Sequence, residues 1–143
     1  MYTDIFSAFL STDDTLRIYL DDSLIYSSDK DRLLPLMEYL EDYGPAPEKV
    51  TIFDKVIGNA AALLAVKVNC REVYSPLVSE YAIDTLEHYG IGYNMSEIVP
   101  YIMRPDGKGM CPMEKLSINK TPDEFYREMR RRVAGGKGEN TKL

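Results

Sequence analysis

At 143 residues the chain is one domain's worth of polymer, long enough to bury a real core and too short for a multidomain machine. Lys and Arg number 17 against 23 Asp and Glu, a net charge of −6, which argues against a general binder of nucleic acid or anionic membrane. With 45% apolar and 28% charged residues, wholesale disorder is also excluded.

The longest apolar run, Ala60 to Val66, falls far short of the ~20 residues that cross a bilayer. The first residues lack the charged-then-apolar pattern of a signal segment, and with only two cysteines, Cys70 and Cys111, a reducing, cytoplasmic location is expected. The lone histidine, His88, cannot build a His-rich metal cluster, so no metal and no cofactor is expected. Charge is uneven: residues 1–126 are strongly acidic, whereas Arg127 to Leu143 carry six basic against two acidic groups. A basic end of this kind most simply folds back on its own acidic body or lies in solvent. Gly135, Gly136 and Gly138 predict a single domain over 1–134 followed by a disordered tail over 135–143.

In chain order, Thr15 to Leu20 and Ser23 to Ser28 alternate apolar and polar residues around Asp21-Asp22, the pattern of a hairpin. Leu33, Leu34, Met37 and Leu40 recur at helical spacing behind a cap at Asp29 or Asp31, with Pro35 in the first turn and Gly44-Pro45-Ala46-Pro47 as the stop. Lys49 to Lys55 is a β-branched strand, and the Ala- and Leu-rich Asn59 to Val68 a helix. The unit then repeats: a strand over Arg71 to Ser75, a helix over Ser79 to Tyr89 ended by Gly90, and a fifth strand over Ile91 to Met95. After a turn-rich Arg104 to Gly109, Cys111 and Pro112 open a short helix, and Thr121-Pro122-Asp123-Glu124 is a capping box for a terminal helix. A hairpin followed by alternating strands and helices predicts a three-layer α/β/α sandwich around a mixed five-stranded sheet.

Ligands of open α/β sheets gather where strands end and helices begin, because unpaired N–H groups and the helix dipole favour negative charge there. The first such junction offers Lys55, Gly58 and Asn59; the second offers Ser79 and Glu80. Taken one at a time, these residues read equally as a turn glycine, helix caps and a solvated lysine. A third candidate is Cys111 at a helix start, near Arg104, Lys108 and Lys115, with Glu114 on the same turn. A thiol so placed ionises more readily than a free one, while Glu114 opposes it. As a bland alternative, Cys111 is a small buried residue.

Asp54-Lys55-Val56-Ile57-Gly58-Asn59-Ala60-Ala61-Ala62-Leu63-Leu64, Ser79-Glu80-Tyr81-Ala82 and Met110-Cys111-Pro112-Met113-Glu114 together resemble the family called domain of unknown function 1893, over about Ser23 to Leu116. The resemblance implies a cytidine deaminase-like fold. Where that family has Gly-Lys-Ala-Ala-Ala, this chain reads Gly58-Asn59-Ala60-Ala61-Ala62, and the stretch before the cysteine becomes Met103-Arg104-Pro105-Asp106-Gly107. Zinc deaminases place His-x-Glu and Pro-Cys-x-x-Cys at successive helix starts. The corresponding segments here, Gly58-Asn59-Ala60 and Pro76-Leu77-Val78-Ser79-Glu80, carry neither, so conventional zinc-dependent deamination is not expected.

These readings converge on a small-molecule site for an anionic or nucleotide-like ligand, built from Lys55, Gly58, Asn59 and Ser79. If the protein is an enzyme, Cys111 is its nucleophile and Glu114 or Glu80 its acid or base. The alternative is a non-catalytic sensor or structural protein that self-associates. Membrane and nucleic-acid partners are not expected; a homo-oligomer is compatible with the scattered tyrosines.

Overall fold

In the computed structural model, which describes residues 2–135, a five-stranded mixed sheet is ordered β2-β1-β3-β4-β5. Its strands are β1 (Leu16–Leu20), β2 (Ser23–Ser28), β3 (Val50–Asp54), β4 (Cys70–Ser79) and β5 (Gly92–Val99). The helices are α1 (Thr3–Leu10), α2 (Leu34–Tyr43), α3 (Asn59–Val68), α4 (Glu80–His88), α5 (Pro112–Ser117) and α6 (Pro122–Gly135). β1 runs antiparallel to both β2 and β3, whereas β3, β4 and β5 are parallel. The expected hairpin forms, its turn made by Asp21 at φ 52°, a conformation that short polar residues tolerate.

Alternation along the strands divides the core in two. Leu16, Ile18, Val50, Ile52 and Val73 pack with α2, α3, α4 and α6 in the larger cluster, which ends in the fully buried Phe125 and Met129 of α6. Tyr19, Phe53 and Tyr74 point the other way and meet Tyr2, Phe6 and Phe9 of the N-terminal segment in a cluster of aromatic contacts. The helix α1 that carries this cluster has no counterpart in the sequence reading, which began its elements at Thr15.

Several boundaries move for identifiable reasons. β4 continues through Pro76, where the sequence reading stopped at Ser75; proline removes one N–H from the ladder, yet pairing with β5 resumes at Leu77↔Glu97 and runs to Ser79↔Val99. β5 lengthens with it, to Val99 rather than Met95. α2 begins at Leu34 after a left-handed Arg32 (φ 61°), and its N-cap Leu33 has no side-chain cap, so neither Asp29 nor Asp31 caps it. The capping box of α6 is complete: the Thr121 N–H donates to Glu124 Oε1 at 2.9 Å, and the Glu124 N–H to Thr121 Oγ1 at 3.1 Å. α6 reaches Gly135, one residue into the segment expected to be disordered; the expectation for 136–143 lies outside the described residues. No helix among the described residues is long and apolar enough to cross a membrane.

Candidate functional site

The parallel strands β3 and β4 deliver their C-terminal ends to the start of α3 and α4, and the chain from 100 to 117 returns over the same edge. Gly58, the N-cap of α3, is in extended backbone and has no side chain with which to cap. The cap comes instead from Glu114 of α5, which is only 2% exposed. Its Oε1 accepts the Asn59 N–H at 2.6 Å and its Oε2 accepts the Ile102 N–H at 2.9 Å. A carboxylate at a helix N-terminus is favoured by the dipole and by the unpaired N–H groups there. The close approach explains the glycine: a Cβ at Gly58 would stand 2.8 Å from Glu114 Oε1 and 2.9 Å from Ile102 Cγ1.

Asn59 is buried and fully engaged. Its Nδ2 donates to the Ser117 carbonyl at 3.1 Å and to Ser117 Oγ at 3.0 Å, while its Oδ1 accepts from the Thr85 hydroxyl. Ser117 in turn donates to the Glu114 carbonyl at 2.6 Å. The network joins α3, α4 and α5 through the buried Asn59, Glu114 and Ser117 and the half-buried Thr85, with no buried side-chain polar atom left unpaired among the described residues.

The other residues expected at the site are placed differently. Lys55 sends its Nζ to the Thr12 carbonyl at 2.8 Å and lies 5.0 Å over the Phe9 ring, on the face covered by α1. Of Lys55, Asn59 and Ser79, only Asn59 lines either of the clefts described below. Ser79 is completely buried and its Oγ accepts the Ala82 N–H at 3.1 Å, an ordinary N-cap. Glu80 is exposed on the first turn of α4. Cys111 is the half-buried N-cap of α5 and makes no side-chain cap bond, although the residue and helix start are as read from the sequence.

Ser117, Thr85 and the Ile102 N–H complete the network and were not singled out from the sequence; only their serine and threonine chemistry hinted at it. A further buried carboxyl, Asp54 at the end of β3, was likewise passed over. Burial pushes it up to about 8, against the pull of the Val56 and Lys55 N–H groups. Cys70, also buried, is pushed up to about 12.

Open space lies beside the network rather than within it. A cleft of about 370 Å³ is walled by Asp84, Thr85, His88 and Tyr89 of the α4 end and by Asn119 and Lys120 of the α5–α6 turn, with Asn59 and Leu63 at its inner side. A second, of about 580 Å³, shares Asn119 and Lys120 and continues along α6 past Arg127 and Arg131. No group of three or more metal-ligating side chains occurs among the described residues.

Residues 5–132 match the family model described as a domain of unknown function, DUF1893. The chain belongs to the DUF1893 family. The match extends the resemblance read from the motifs at both ends, and takes in α1 and α6. A crystal structure of a DUF1893 family protein, TM1506 from Thermotoga maritima, is similar at 27% identity with a TM-score of 0.82, over 91% of this chain and 88% of that one. No curated protein matches. DUF1893 membership thus fixes a mixed α/β architecture and names no activity.

Proposed function

We propose that this DUF1893 protein is a non-catalytic binding protein, a sensor of a small anionic or nucleotide-like molecule, built on a three-layer, cytidine deaminase-like scaffold. The observation that carries the reading is the double engagement of Glu114. Glu114 is only 2% exposed and each of its oxygens already accepts a main-chain N–H, at 2.6 and 2.9 Å, so a substrate has no path to it as a general acid or base. The anion-attracting start of α3 is occupied by the chain's own carboxylate. The segments Gly58-Asn59-Ala60 and Pro76 to Glu80 offer no thiolate or imidazole to zinc, and Asn59 and Ser79 spend their polar groups on packing. Lys55 belongs to the α1 side, which leaves the open clefts beside α4 and α6 as the place for a ligand.

A thermal-shift screen over nucleotides, phosphates and carboxylates tests this, because a ligand that binds only the folded state stabilises it by RT ln(1 + [L]/Kd). The expected outcome is a saturable rise in Tm with one of these classes, the ligand being recovered unchanged after long incubation. Turnover of that ligand, abolished by Cys111→Ala or Glu114→Gln, would establish the enzyme reading instead.

Self-association is a second reading, favoured by β5. This eight-residue strand stands at the edge of the sheet and is largely exposed, with Ile98 45% accessible. Such an edge is a template for a further strand. Light scattering after size exclusion distinguishes a dimer from a monomer, and Ile98→Lys should return a dimer to monomer.

A further inference from the structure

The two adjoining clefts differ in chemistry in a way that selects a ligand. At the α4 end the walls hold two aromatic rings, His88 and Tyr89, set edge to face with centroids 4.7 Å apart; the Tyr89 side chain is 41% exposed. Asp84, exposed one helical turn before His88, adds an acceptor on the same side. Along α6 the walls hold Lys120, Arg127 and Arg131.

The acidic residues of this second cleft are already committed. Glu124 closes the capping box, and Glu128 is paired with Arg131 and with Arg132 at 3.1 Å. Arg127 makes no ion pair among the described residues, and Lys120 Nζ donates only to the Leu116 carbonyl at 2.9 Å. Lys120 and Arg127, which feel the charge of Glu124 but make no direct ion pair with a carboxylate among the described residues, therefore line a cleft that shares Asn119 and Lys120 with the aromatic one. Nucleobases stack on exposed aromatic faces, and Lys and Arg hold phosphate through charge-assisted hydrogen bonds. The Asp84 carboxylate, on the wall that carries His88 and Tyr89, suits the paired hydroxyls of a ribose.

We propose that this groove binds a nucleoside 5′-monophosphate, its base against Tyr89 and His88, its ribose hydroxyls toward Asp84 and its phosphate held by Lys120 and Arg127. The inference rests on the reading of the protein as a small-ligand sensor and moves the site from the strand ends to the α4–α6 groove. A mononucleotide is favoured over a nucleic-acid strand because the chain's net charge of −6 repels a polyanion, whereas one phosphate needs only the local pair of cations.

Isothermal titration of the full chain with adenosine, cytidine, guanosine and uridine 5′-monophosphates tests it, with the matching nucleosides, inorganic phosphate and a hexaribonucleotide as comparisons. At least one monophosphate should bind, with Kd at least tenfold tighter than its nucleoside or phosphate alone. Arg127→Ala, Lys120→Ala and Tyr89→Ala alter exposed or half-exposed side chains, and each should weaken binding about tenfold or more while circular dichroism and Tm stay unchanged. Equal affinity in all three variants would overturn the groove assignment, and tighter binding of the hexaribonucleotide would overturn the choice of a mononucleotide. If no monophosphate binds while the thermal-shift screen finds another anion, the nucleotide assignment fails and the sensor reading stands. If nothing in either panel binds, both fail.

Discussion

Asn59, the first residue of α3, donates its main-chain N–H to the Glu114 carboxylate at 2.6 Å across 55 residues of sequence. A buried carboxylate normally costs heavily unless hydrogen-bonded, and here the cost is offset by two N–H donors that would otherwise be orphaned. Removing the side chain leaves the buried Asn59 N–H and the part-buried Ile102 N–H without their partner. Glu114→Ala should therefore destabilise the fold by about 2–4 kcal/mol. Gly58→Ala, which thrusts a methyl to within 2.8 Å of the same oxygen, should cost about 1–3 kcal/mol. Urea unfolding of both variants measures this; stabilities within ~0.5 kcal/mol of the parent would remove Glu114 from its capping role.

Asp54 predicts a pH dependence. Its carboxyl is raised to about 8 in the folded chain by burial, against about 3.9 when unfolded. Between these values the folded state keeps a proton that the unfolded state has lost, so stability falls as pH rises from about 4 to about 8 and levels off above. Asp54→Asn removes this contribution. Denaturant unfolding at pH 5 and pH 8 should show the parent losing more stability than the variant between the two; parallel changes would contradict the assignment.

The two cysteines should separate cleanly. Cys70 is 3% exposed with its thiol pushed up to about 12, whereas Cys111 is half-buried at the start of α5. Iodoacetamide at neutral pH, read by peptide mass spectrometry, should label Cys111 and spare Cys70 while the chain is folded. Cys111→Ala should leave ligand-induced stabilisation unchanged, since the thiol has no part in the groove.

Lys55 couples β3 to the N-terminal segment, through the Thr12 carbonyl and the Phe9 ring. Lys55→Ala should cost about 1–2 kcal/mol, from one charge-assisted bond and one cation–π contact, and leave ligand affinity unaltered. A loss of affinity comparable to that of Arg127→Ala would return Lys55 to the site.

The elements that propensity and periodicity govern were legible in the sequence: the Asp21-Asp22 hairpin, the strands β3 to β5, the Ala- and Leu-rich α3 and the capping box of α6. The helix α1 has its own signal, Tyr2, Ile5, Phe6 and Phe9 at helical spacing, but spans only eight residues, with no side-chain cap at its start to mark it. The ends of β4 and β5 are hidden in the sequence because Pro76 looks like a stop, while Ser75 and Leu77 on either side of it both pair with β5. Gly58, Asn59 and Glu114 drew notice as chemistry-bearing residues, and the structure does bring these three together. Their partnership is tertiary: no local pattern says that Glu114 will cap a helix that began 55 residues earlier, or that Lys55 will turn toward α1. The groove was invisible for the same reason, since Asp84, His88 and Tyr89 meet Lys120 only through the packing of α3 with α4 and α6.

Glu114 holds the fold and does not act on a ligand, and Glu114→Gln is the variant that separates the two roles. The amide keeps the size and one acceptor oxygen, so the variant should fold but lose stability, through one weakened and one lost N–H contact. Its affinity for the best monophosphate, measured by calorimetry beside Arg127→Ala, should equal that of the parent, with the ligand recovered intact from both. A variant as stable as the parent that no longer binds, or that abolishes a turnover the parent shows, would make Glu114 a residue of the ligand site instead.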